Sequence, residues 1–424
     1  MRPGHTIVAC ALALLTLGVV MVTSASMTVD PKTPVTISSI LLSRLTIYYG
    51  LALLTLALAA WLAPLGIISR LASRDHISTG APASGWSLGP LWIGAVALVL
   101  VMAIVYVPGI GAAKKGSHRW LGINLPGMGE LSIQPSEIAK WGLILLMAWY
   151  CATLGARRMG RFFTGLLPGL LAIAIVAGFL VLEDLGTGVL IAVASATVLL
   201  AGGARLWQFI ALSPFPAIAF AAAVYNHPYR LDRIRSFLDP YADPDGKGYH
   251  MIQSMIAVAN GDITGRGLGH GLQKFGYLPE DTTDFIFAII CEELGIPGAA
   301  LVVFLYAALL WAGIAIVRRQ RSVVLQLFGL GVVATVGFQA LINLAVVTAL
   351  GPTKGIALPL LSSGGTGWIL TAAALGTLVA MDRASARSTL VPVAAPAAGL
   401  PRAAAPTDAP VDSPPRLAPE PALA

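Results

Sequence analysis

Long apolar runs recur along the whole chain, and they restrict its fold more than any other feature of the sequence. Each run is long enough to cross the roughly 30 Å hydrocarbon core of a bilayer as a helix. The runs cover about residues 6–27, 45–68, 87–107, 136–153, 162–182, 185–203, 206–225, 284–317, 323–349 and 366–382. The sequence therefore predicts an all-α polytopic membrane protein with about ten transmembrane helices. The eighth and ninth runs are overlong, so those helices are expected to tilt or to project beyond the membrane.

The composition agrees with a lipid environment. Hydrophobic residues make up 57% of the chain and charged residues only 11%, whereas a soluble domain carries about 25% charged residues. Cys10, Cys151 and Cys291 lie in or beside apolar runs without CxxC spacing, which favours buried thiols over disulfides or a zinc site. No basic stripe lies outside the short loops, so nucleic-acid binding is not expected.

The arginines of the short loops predict the orientation. One side of the membrane receives Arg2, Arg70, Arg74, Arg157, Arg158, Arg161, Arg205, Arg318, Arg319, Arg321, Arg383 and Arg387. By the positive-inside rule, both termini are cytoplasmic. The first run is interpreted as an uncleaved span rather than a signal peptide. The predicted domains are a membrane domain, residues 1–383, and an Ala/Pro-rich disordered cytoplasmic tail, residues 384–424.

The opposite side receives two long segments and a short one. They are residues 108–135, 226–283 and 350–365, and the second is a large extracytoplasmic loop between helices 7 and 8. Their cations are Lys114, Lys115, Arg119, Arg230, Arg233, Arg235, Lys247, Arg266, Lys274 and Lys354. Because the orientation rule does not favour cations here, an external anionic ligand would explain them. Solvated loop charges are the alternative.

A first candidate site lies in "HRWLGINLPGMGELSIQPSEIAKWG". Pro135 suits the first position of a helix, which puts Glu137 in the first turn and Lys140 on the same face. The pair would form the wall of a polar cavity, or alternatively a structural cap with an internal ion pair. Trp120, beside Arg119, would be an interfacial anchor or a platform for a sugar or lipid headgroup.

A second candidate site is "YLPEDTTDFIFAIICEELG", which contains five of the chain's twenty carboxylates. Asp284 directly precedes an apolar run and could cap that helix. At the outer boundary it could instead act as a general base on a hydroxyl, or hold a metal on a phosphate. Glu292 and Glu293 lie two turns deeper. They are expected to face the interior, paired or protonated, in a structural role.

A third candidate site is "TALGPTKGIALPLLSSGGTGW". Its prolines and glycines break the helical pattern at membrane depth, where irregular backbone is tolerated if it lines a cavity or packs in protein. Lys354 would point into that cavity. No GxSxG motif surrounds Ser362, so a serine nucleophile is not proposed.

These motifs resemble the shape, elongation, division and sporulation (SEDS) family. The likeness covers roughly residues 5–383 and includes "HRWLG…IQPSEIAK", "EDLGTG", "GYHMIQSMIAVANGDITGRGLG", "LPEDTTDFIFAIICEELG" and "PTKGIALPLLSSGG". It implies a ten-helix glycosyltransferase that polymerises lipid II into peptidoglycan at the outer face of the bacterial cytoplasmic membrane, for division or cell shape. "ARLWQFIAL" and "PTKG" are more similar to FtsW than to RodA.

The resemblance also implies roles for residues and partners. The family's essential acidic residue carries over to Asp284, and its substrate-binding positions to Trp120, Glu137, Lys140 and Lys354. Arg119, Glu280 and Ser362 complete the candidate substrate-binding set. A divalent cation, Mg²⁺ or Mn²⁺, is the candidate cofactor, with Asp284 as its candidate ligand, and no organic cofactor is expected. A class B penicillin-binding transpeptidase is the expected partner, beside other division or elongation proteins.

Two other functions compete with polymerisation. A lipid II flippase would use the intramembrane charges Glu137, Lys140, Glu292 and Glu293 as a path, and a scaffold would only recruit a transpeptidase. A flippase needs polar residues spread across the membrane depth. The reactive candidates gather on the outer side instead, which favours the enzyme, and a scaffold would not need Asp284.

Overall fold

The chain folds into a bundle of long apolar helices. The computed structural model describes residues 2–26, 43–62, 88–107, 111–114, 117–125, 129–363 and 365–390. The helices are α1 (Pro3–Ala25), α2 (Arg44–Leu62), α3 (Gly89–Ala103), α4 (Pro135–Leu154), α5 (Leu167–Glu183), α6 (Leu185–Ala201), α7 (Leu206–Leu212), α8 (Pro214–Tyr225), α9 (Pro228–Leu238), α10 (Tyr249–Asn260), α11 (Ile286–Arg318), α12 (Val323–Val347) and α13 (Thr366–Leu390).

The predicted helical membrane fold is confirmed. Within the described residues, eight helices are long and apolar enough to cross a membrane, and a ninth is gained if the bent pair α7–α8 counts as one span. Helix α6 is apolar but shorter. The count of ten therefore stays a prediction, as do the sidedness of the long loop and of the termini. The loop with Arg70 and Arg74, and tail residues 391–424, lie outside the described residues.

Helix α12 joins two apolar clusters. One contains residues of α1, α2, α11 and α13, and the other contains residues of α3, α4, α5 and α6. Helix α12 contacts α4 and α6 on one side and α11 and α13 on the other. Gly331 permits this approach, because a Cβ there would collide with Ile144 and crowd Val198. The central helix thereby fixes the two halves of the bundle against each other.

The overlong eighth run is broken rather than only tilted. Gly295 interrupts α11 with φ 61° and ψ −153°, and Pro297 follows it. Every residue from Phe285 to Glu293 is buried, as expected where a helix is enclosed by protein on all sides. The stretch after Gly295 exposes Ile296 and Phe304. The run thus contains an enclosed helix before the break and a lipid-facing helix after it.

The segments between helices have more structure than the sequence suggested. Residues 111–133 contain a three-stranded antiparallel sheet of β1 (Gly111–Lys114), β2 (Ser117–Leu125) and β3 (Gly129–Ile133). Residues 226–285 contain α9 and α10, followed by successive turns. At the other end of the chain, α13 continues to Leu390, so its helix extends beyond the start predicted for the tail at Ala384.

Candidate active site

A cavity of about 840 Å³ lies at one end of the bundle. There the C-terminal ends of α5, α8 and α12 meet the N-terminal ends of α4, α6 and α13. Strand β2, helix α9, the turn before α11 and the irregular segment between α12 and α13 also contribute to the wall. Seven of the eight predicted site residues line the cavity: Arg119, Trp120, Glu137, Glu280, Asp284, Lys354 and Ser362.

Asp284 belongs to a tight turn that Glu280 organises. Glu280 has a φ of 59°, in the left-handed region that residues other than glycine rarely adopt. Its carbonyl accepts hydrogen bonds from the N–H groups of Thr283 and Phe285, at 3.1 and 3.2 Å. Its carboxylate accepts from the Thr283 hydroxyl at 3.0 Å. The N-cap of α11 is Phe285, so the structure does not support the capping interpretation of Asp284.

The segment between α12 and α13 lies directly against Asp284. The side-chain amide of Asn343, in α12, donates to the carbonyls of Asp284 and Ile356, both at 2.7 Å. A Cβ at Gly355 would lie 2.8 Å from Oδ2 of Asp284, so a larger residue there would force the carboxylate to move. Asn343 and Gly355 therefore join two motifs that are about 70 positions apart into one wall.

Ser362 supports this wall through its backbone contacts. Its buried hydroxyl accepts a hydrogen bond from the N–H of Leu358 at 2.7 Å. The next residue, Ser363, donates its N–H to the carbonyl of Thr282 at 2.9 Å. The geometry thus gives Ser362 a structural contact, although the residue lines the cavity as predicted for substrate binding.

Lys354 shares the cavity with two arginines, Arg230 and Arg233. Its ammonium lies 5.3 Å from the ring centroid of Phe220. Burial lowers the pKa of Lys354; the carboxylate of Asp184 opposes this, and the two arginines add to it. A region in which two arginines lower the pKa of a neighbouring lysine is suited to bind an anion.

The two arginines are held in place by backbone carbonyls. Arg233 donates to the carbonyl of Thr353, next to Lys354, at 3.2 Å. Arg230 donates to the carbonyls of Val181 and Ala223, at 2.8 and 3.1 Å. Their positive charges are therefore fixed at the cavity before any ligand arrives, which is the condition for electrostatic stabilisation without reorganisation.

Arg119 extends from β2 to the junction of α5 and α6. Its guanidinium lies 3.5 Å from a carboxylate oxygen of Asp184 and also donates to the carbonyl of Glu183. Asp184 is the N-cap of α6, accepting from the N–H and hydroxyl of Thr187 at 3.1 and 2.8 Å. Arg119 thus fastens the sheet to the bundle, and its charge is largely matched by Asp184.

Lys140 lies behind the cavity wall instead of lining it. Its ammonium is buried, 2.6 Å from the carboxylate of Glu137 and 3.2 Å from Oε1 of Gln339. Glu137 stands in the first turn of α4 after Pro135, as predicted, and faces the cavity. Lys140 therefore orients Glu137, and a direct contact of Lys140 with substrate is not what the geometry favours.

Four residues that shape this site were not in the candidate set predicted from the sequence: Asp184, Arg230, Arg233 and Asn343. Arg230 and Arg233 were named only among the cations that an external anion would explain. Arg230 and Arg233 are three positions apart, a spacing that puts both on one face of α9, whereas Arg235 is exposed and lies 4.0 Å from Asp232. The spacing of Arg230 and Arg233 could therefore have indicated from the sequence that both face the same site. Asn343 lies in a mostly apolar run, and its role follows only from the tertiary contacts.

Glu292 and Glu293 are buried and paired as predicted, in a second polar cluster away from the cavity lining. Glu293 accepts from the ammonium of Lys274 at 2.9 Å, from the Ser24 hydroxyl at 2.8 Å, and from the backbone of Gly269 at 3.0 Å. Glu292 accepts from the N–H groups of Leu272 and Gln273 at 3.0 and 3.1 Å. This cluster binds the segment before α11 to the end of α1.

The residues at the cavity fit a metal ion only in combination with a ligand. No group of three or more His, Cys, Asp and Glu side chains that could hold a metal occurs in the part of the chain that the structure describes. Asp284 offers one carboxylate. Mg²⁺ is commonly held by one or two carboxylates together with substrate phosphates, so the donor set fits a cation that is shared with a phosphate.

Sequence comparison places this chain among known proteins. The family model for FtsW, RodA and SpoVE, described as cell cycle protein, matches residues 5–387. Stage V sporulation protein E of Bacillus subtilis is 38% identical over 289 residues, which cover 67% of this chain and 76% of the relative. A probable peptidoglycan glycosyltransferase FtsW of Thioalkalivibrio sulfidiphilus is 36% identical over 383 residues, or 89% and 88% of the two chains.

Structural comparison gives the same result. A chain from a peptidoglycan synthase complex that coordinates polymerization and crosslinking matches with a TM-score of 0.65 and 26% identity. The match covers 89% of this chain and 97% of the other. The rod shape determining protein RodA of Thermus thermophilus matches with a TM-score of 0.57 and 26% identity, over 89% and 95% of the two chains.

Proposed function

Because the chain belongs to the cell cycle protein family of FtsW, RodA and SpoVE, we propose that it is a peptidoglycan glycosyltransferase whose substrate is lipid II. The observation that carries the assignment is the juxtaposition in one cavity of the Asp284 carboxylate with the cations Lys354, Arg230 and Arg233. Lipid II contains both sugar hydroxyls and a pyrophosphate. Such a cavity supplies a proton acceptor for a hydroxyl and positive charge for the pyrophosphate.

In the proposed reaction, Asp284 is the general base. A sugar hydroxyl of one substrate molecule attacks the anomeric carbon of another, forming a glycosidic C–O bond while the bond from that carbon to the lipid pyrophosphate breaks. The hydroxyl proton passes to the carboxylate of Asp284. The turn organised by Glu280 and the amide of Asn343 support this role, because they fix the backbone from which the carboxylate projects.

The leaving pyrophosphate takes the bonding electrons, and its charge needs stabilisation. Lys354 is suited to donate hydrogen bonds to it, with Arg230 and Arg233 contributing charge from fixed positions. Arg119 and Trp120 form part of the wall of the same cavity. If a divalent cation is bound, Asp284 would be its protein ligand, and the ion would supply Lewis-acid stabilisation of the leaving group.

Lys354→Ala is expected to slow polymerisation by about ten- to a hundredfold, the value of one charge-assisted hydrogen bond to the leaving group. Lys354→Arg keeps the charge at the same place and should retain most of the rate. The measurement is the initial rate of glycan formation by the purified variants. Equal rates for wild type and Lys354→Ala would remove Lys354 from the proposed mechanism.

Chelation tests the proposed cation. If Asp284 shares a divalent ion with the substrate, EDTA should abolish polymerisation, and Mg²⁺ or Mn²⁺ should restore it. Thermal unfolding of the substrate-free protein should be unaffected by EDTA, because the site holds too few ligands to bind the ion alone. An undiminished rate in EDTA would assign charge stabilisation to Lys354 and the arginines only.

The partner and location proposed for the chain follow from the same assignment. We place it in the bacterial cytoplasmic membrane with both termini in the cytoplasm, beside a class B penicillin-binding transpeptidase that crosslinks the product. The match to a chain of a peptidoglycan synthase complex supports a crosslinking partner. A role in division is favoured by the FtsW relatives, and elongation and sporulation are the alternatives that the family also includes.

The experiment that tests this function is incubation of the purified protein with lipid II, with and without a class B transpeptidase. We expect glycan strands that a muramidase digests, with the partner increasing their amount. Failure to form strands under both conditions, from protein shown to be folded, would contradict the assignment and revive the scaffold hypothesis.

A further inference from the structure

The segment between α10 and α11, residues 261–278, has a partly inverted distribution of polarity. Its polar residues Gln273 and Lys274 are each only 6% exposed, while Asp262, Thr264, Arg266 and His270 are exposed. Apart from the buried Leu278, its large apolar residues face outward, with exposed fractions of 65% at Ile263, 51% at Leu268, 50% at Leu272, 44% at Phe275 and 56% at Tyr277. Exposed apolar groups grouped in this way mark a surface that another apolar phase covers.

The buried side of the segment explains how the inversion is stabilised. Lys274 pairs with Glu293 and also donates to the Ser24 hydroxyl at 3.2 Å. The N–H groups of Leu272 and Gln273 donate to Glu292. With the Lys274 ammonium and these backbone N–H groups paired against α11 and α1, the segment can present its apolar side chains outward as a fixed surface.

Backbone hydrogen bonds fix the depth of this surface along the bundle. Arg266 and Gly267 donate to the carbonyls of Glu292 and Glu293, each at 2.9 Å, and Ile296 donates to the carbonyl of Ile263 at 3.2 Å. The segment therefore lies level with the break at Gly295. From there to Arg318 the helix is about 34 Å long at 1.5 Å per residue, close to the roughly 30 Å of a bilayer core.

We propose that residues 263–277 form an interfacial membrane anchor, with Leu268, Leu272, Phe275 and Tyr277 inserted at the boundary between lipid headgroups and acyl chains. Two observations favour lipid over a protein partner. Ile263 and Ile296 are joined by a backbone hydrogen bond and both are exposed, so the exposed apolar residues of the segment continue those of the spanning helix. Aromatic residues at the end of a span are also typical of the interface.

The anchor would fix the position of the cavity relative to the bilayer surface. The Glu292–Glu293 cluster connects the segment rigidly to the enclosed part of α11, which begins two residues after Asp284. This inference requires only that the chain spans a membrane, and it does not depend on the proposed chemistry.

Spin labels on the full-length protein in vesicles of phosphatidylcholine with phosphatidylglycerol test the anchor. Single variants Leu268→Cys, Leu272→Cys and Phe275→Cys provide the sites, and the three native cysteines are buried. The control is Tyr241→Cys, an aromatic position in the acidic turn before α10 that is more exposed than the three anchor positions. Collision with apolar oxygen and with a water-soluble nickel complex is measured at each label.

We expect oxygen collisions to exceed nickel collisions at the three anchor positions by severalfold, and the ratio to be reversed at position 241. Brominated acyl chains should quench a fluorophore at 272 or 275 but not at 241. The proposal is overturned if the anchor labels behave like the control label. It is also overturned if they are water-accessible in vesicles and become shielded only when a transpeptidase is added, which would make the surface a protein-docking site.

Discussion

Asp284→Asn is expected to reach the membrane at normal levels but to polymerise lipid II about 10²–10⁴-fold more slowly than wild type, the usual contribution of a general base. The amide keeps the shape of the side chain and loses only its basicity. Because the N-cap of α11 is Phe285, the substitution should not shorten or loosen the helix. The measurements are the polymerisation rate and the midpoint of thermal unfolding.

The neighbouring carboxylate of Asp281 provides a matched control. Burial raises the pKa of Asp281 to about 6, but the residue does not belong to the cavity lining. Asp281→Asn should therefore polymerise at close to the wild-type rate. Equal loss of activity in both variants would show that the turn, rather than the base, had been damaged.

Lys274→Met is expected to destabilise the protein by about 3–5 kcal/mol, because it leaves a buried carboxylate without its partner. Glu293 is fully buried, and after the substitution only Ser24 and the backbone of residues 269 and 271 would still donate to it. A lower midpoint of thermal unfolding in detergent is the measurement. The double variant Lys274→Met/Glu293→Gln removes both charges and should recover much of the loss.

Lys247→Met is the control for the Lys274 variant. Lys247 pairs with Asp232 at the same 2.9 Å distance, but its side chain is 58% exposed. An exposed ion pair contributes about 0–1 kcal/mol, so this variant should unfold almost as wild type does. If both lysine variants lowered stability equally, burial of the Lys274–Glu293 pair would not be the reason.

The sequence predicted the helices well because length and apolarity are local properties. It could not predict the break in α11, since the apolar run continues on both sides of Gly295. Hydrophobicity does not distinguish a helix enclosed by protein from one that faces lipid. The triplet Gly295–Ile296–Pro297 was the only local signal, and its backbone geometry depends on the close approach of Gly265, which is distant in sequence.

The sequence predicted which residues belong to the candidate site better than it predicted how they are arranged. Seven predicted residues line one cavity, and the resemblance to the SEDS family had grouped them into one set. The place of Lys140 behind Glu137 depends on Gln339, a partner that no spacing rule identifies. The distinction between a cap and a base at Asp284 depends on where α11 begins to within one residue, and sequence patterns do not define helix ends that finely.

The central claim is that the cavity transfers glycosyl groups and does not transport lipid. The most direct test uses proteoliposomes that contain headgroup-labelled lipid II and wild-type protein, with polymer and transbilayer movement recorded on the same sample. The account predicts glycan polymer without accelerated movement, since Glu292 and Glu293 are locked in a structural cluster and Lys140 in an ion pair. Rapid movement of lipid II across the bilayer without any polymer would contradict it.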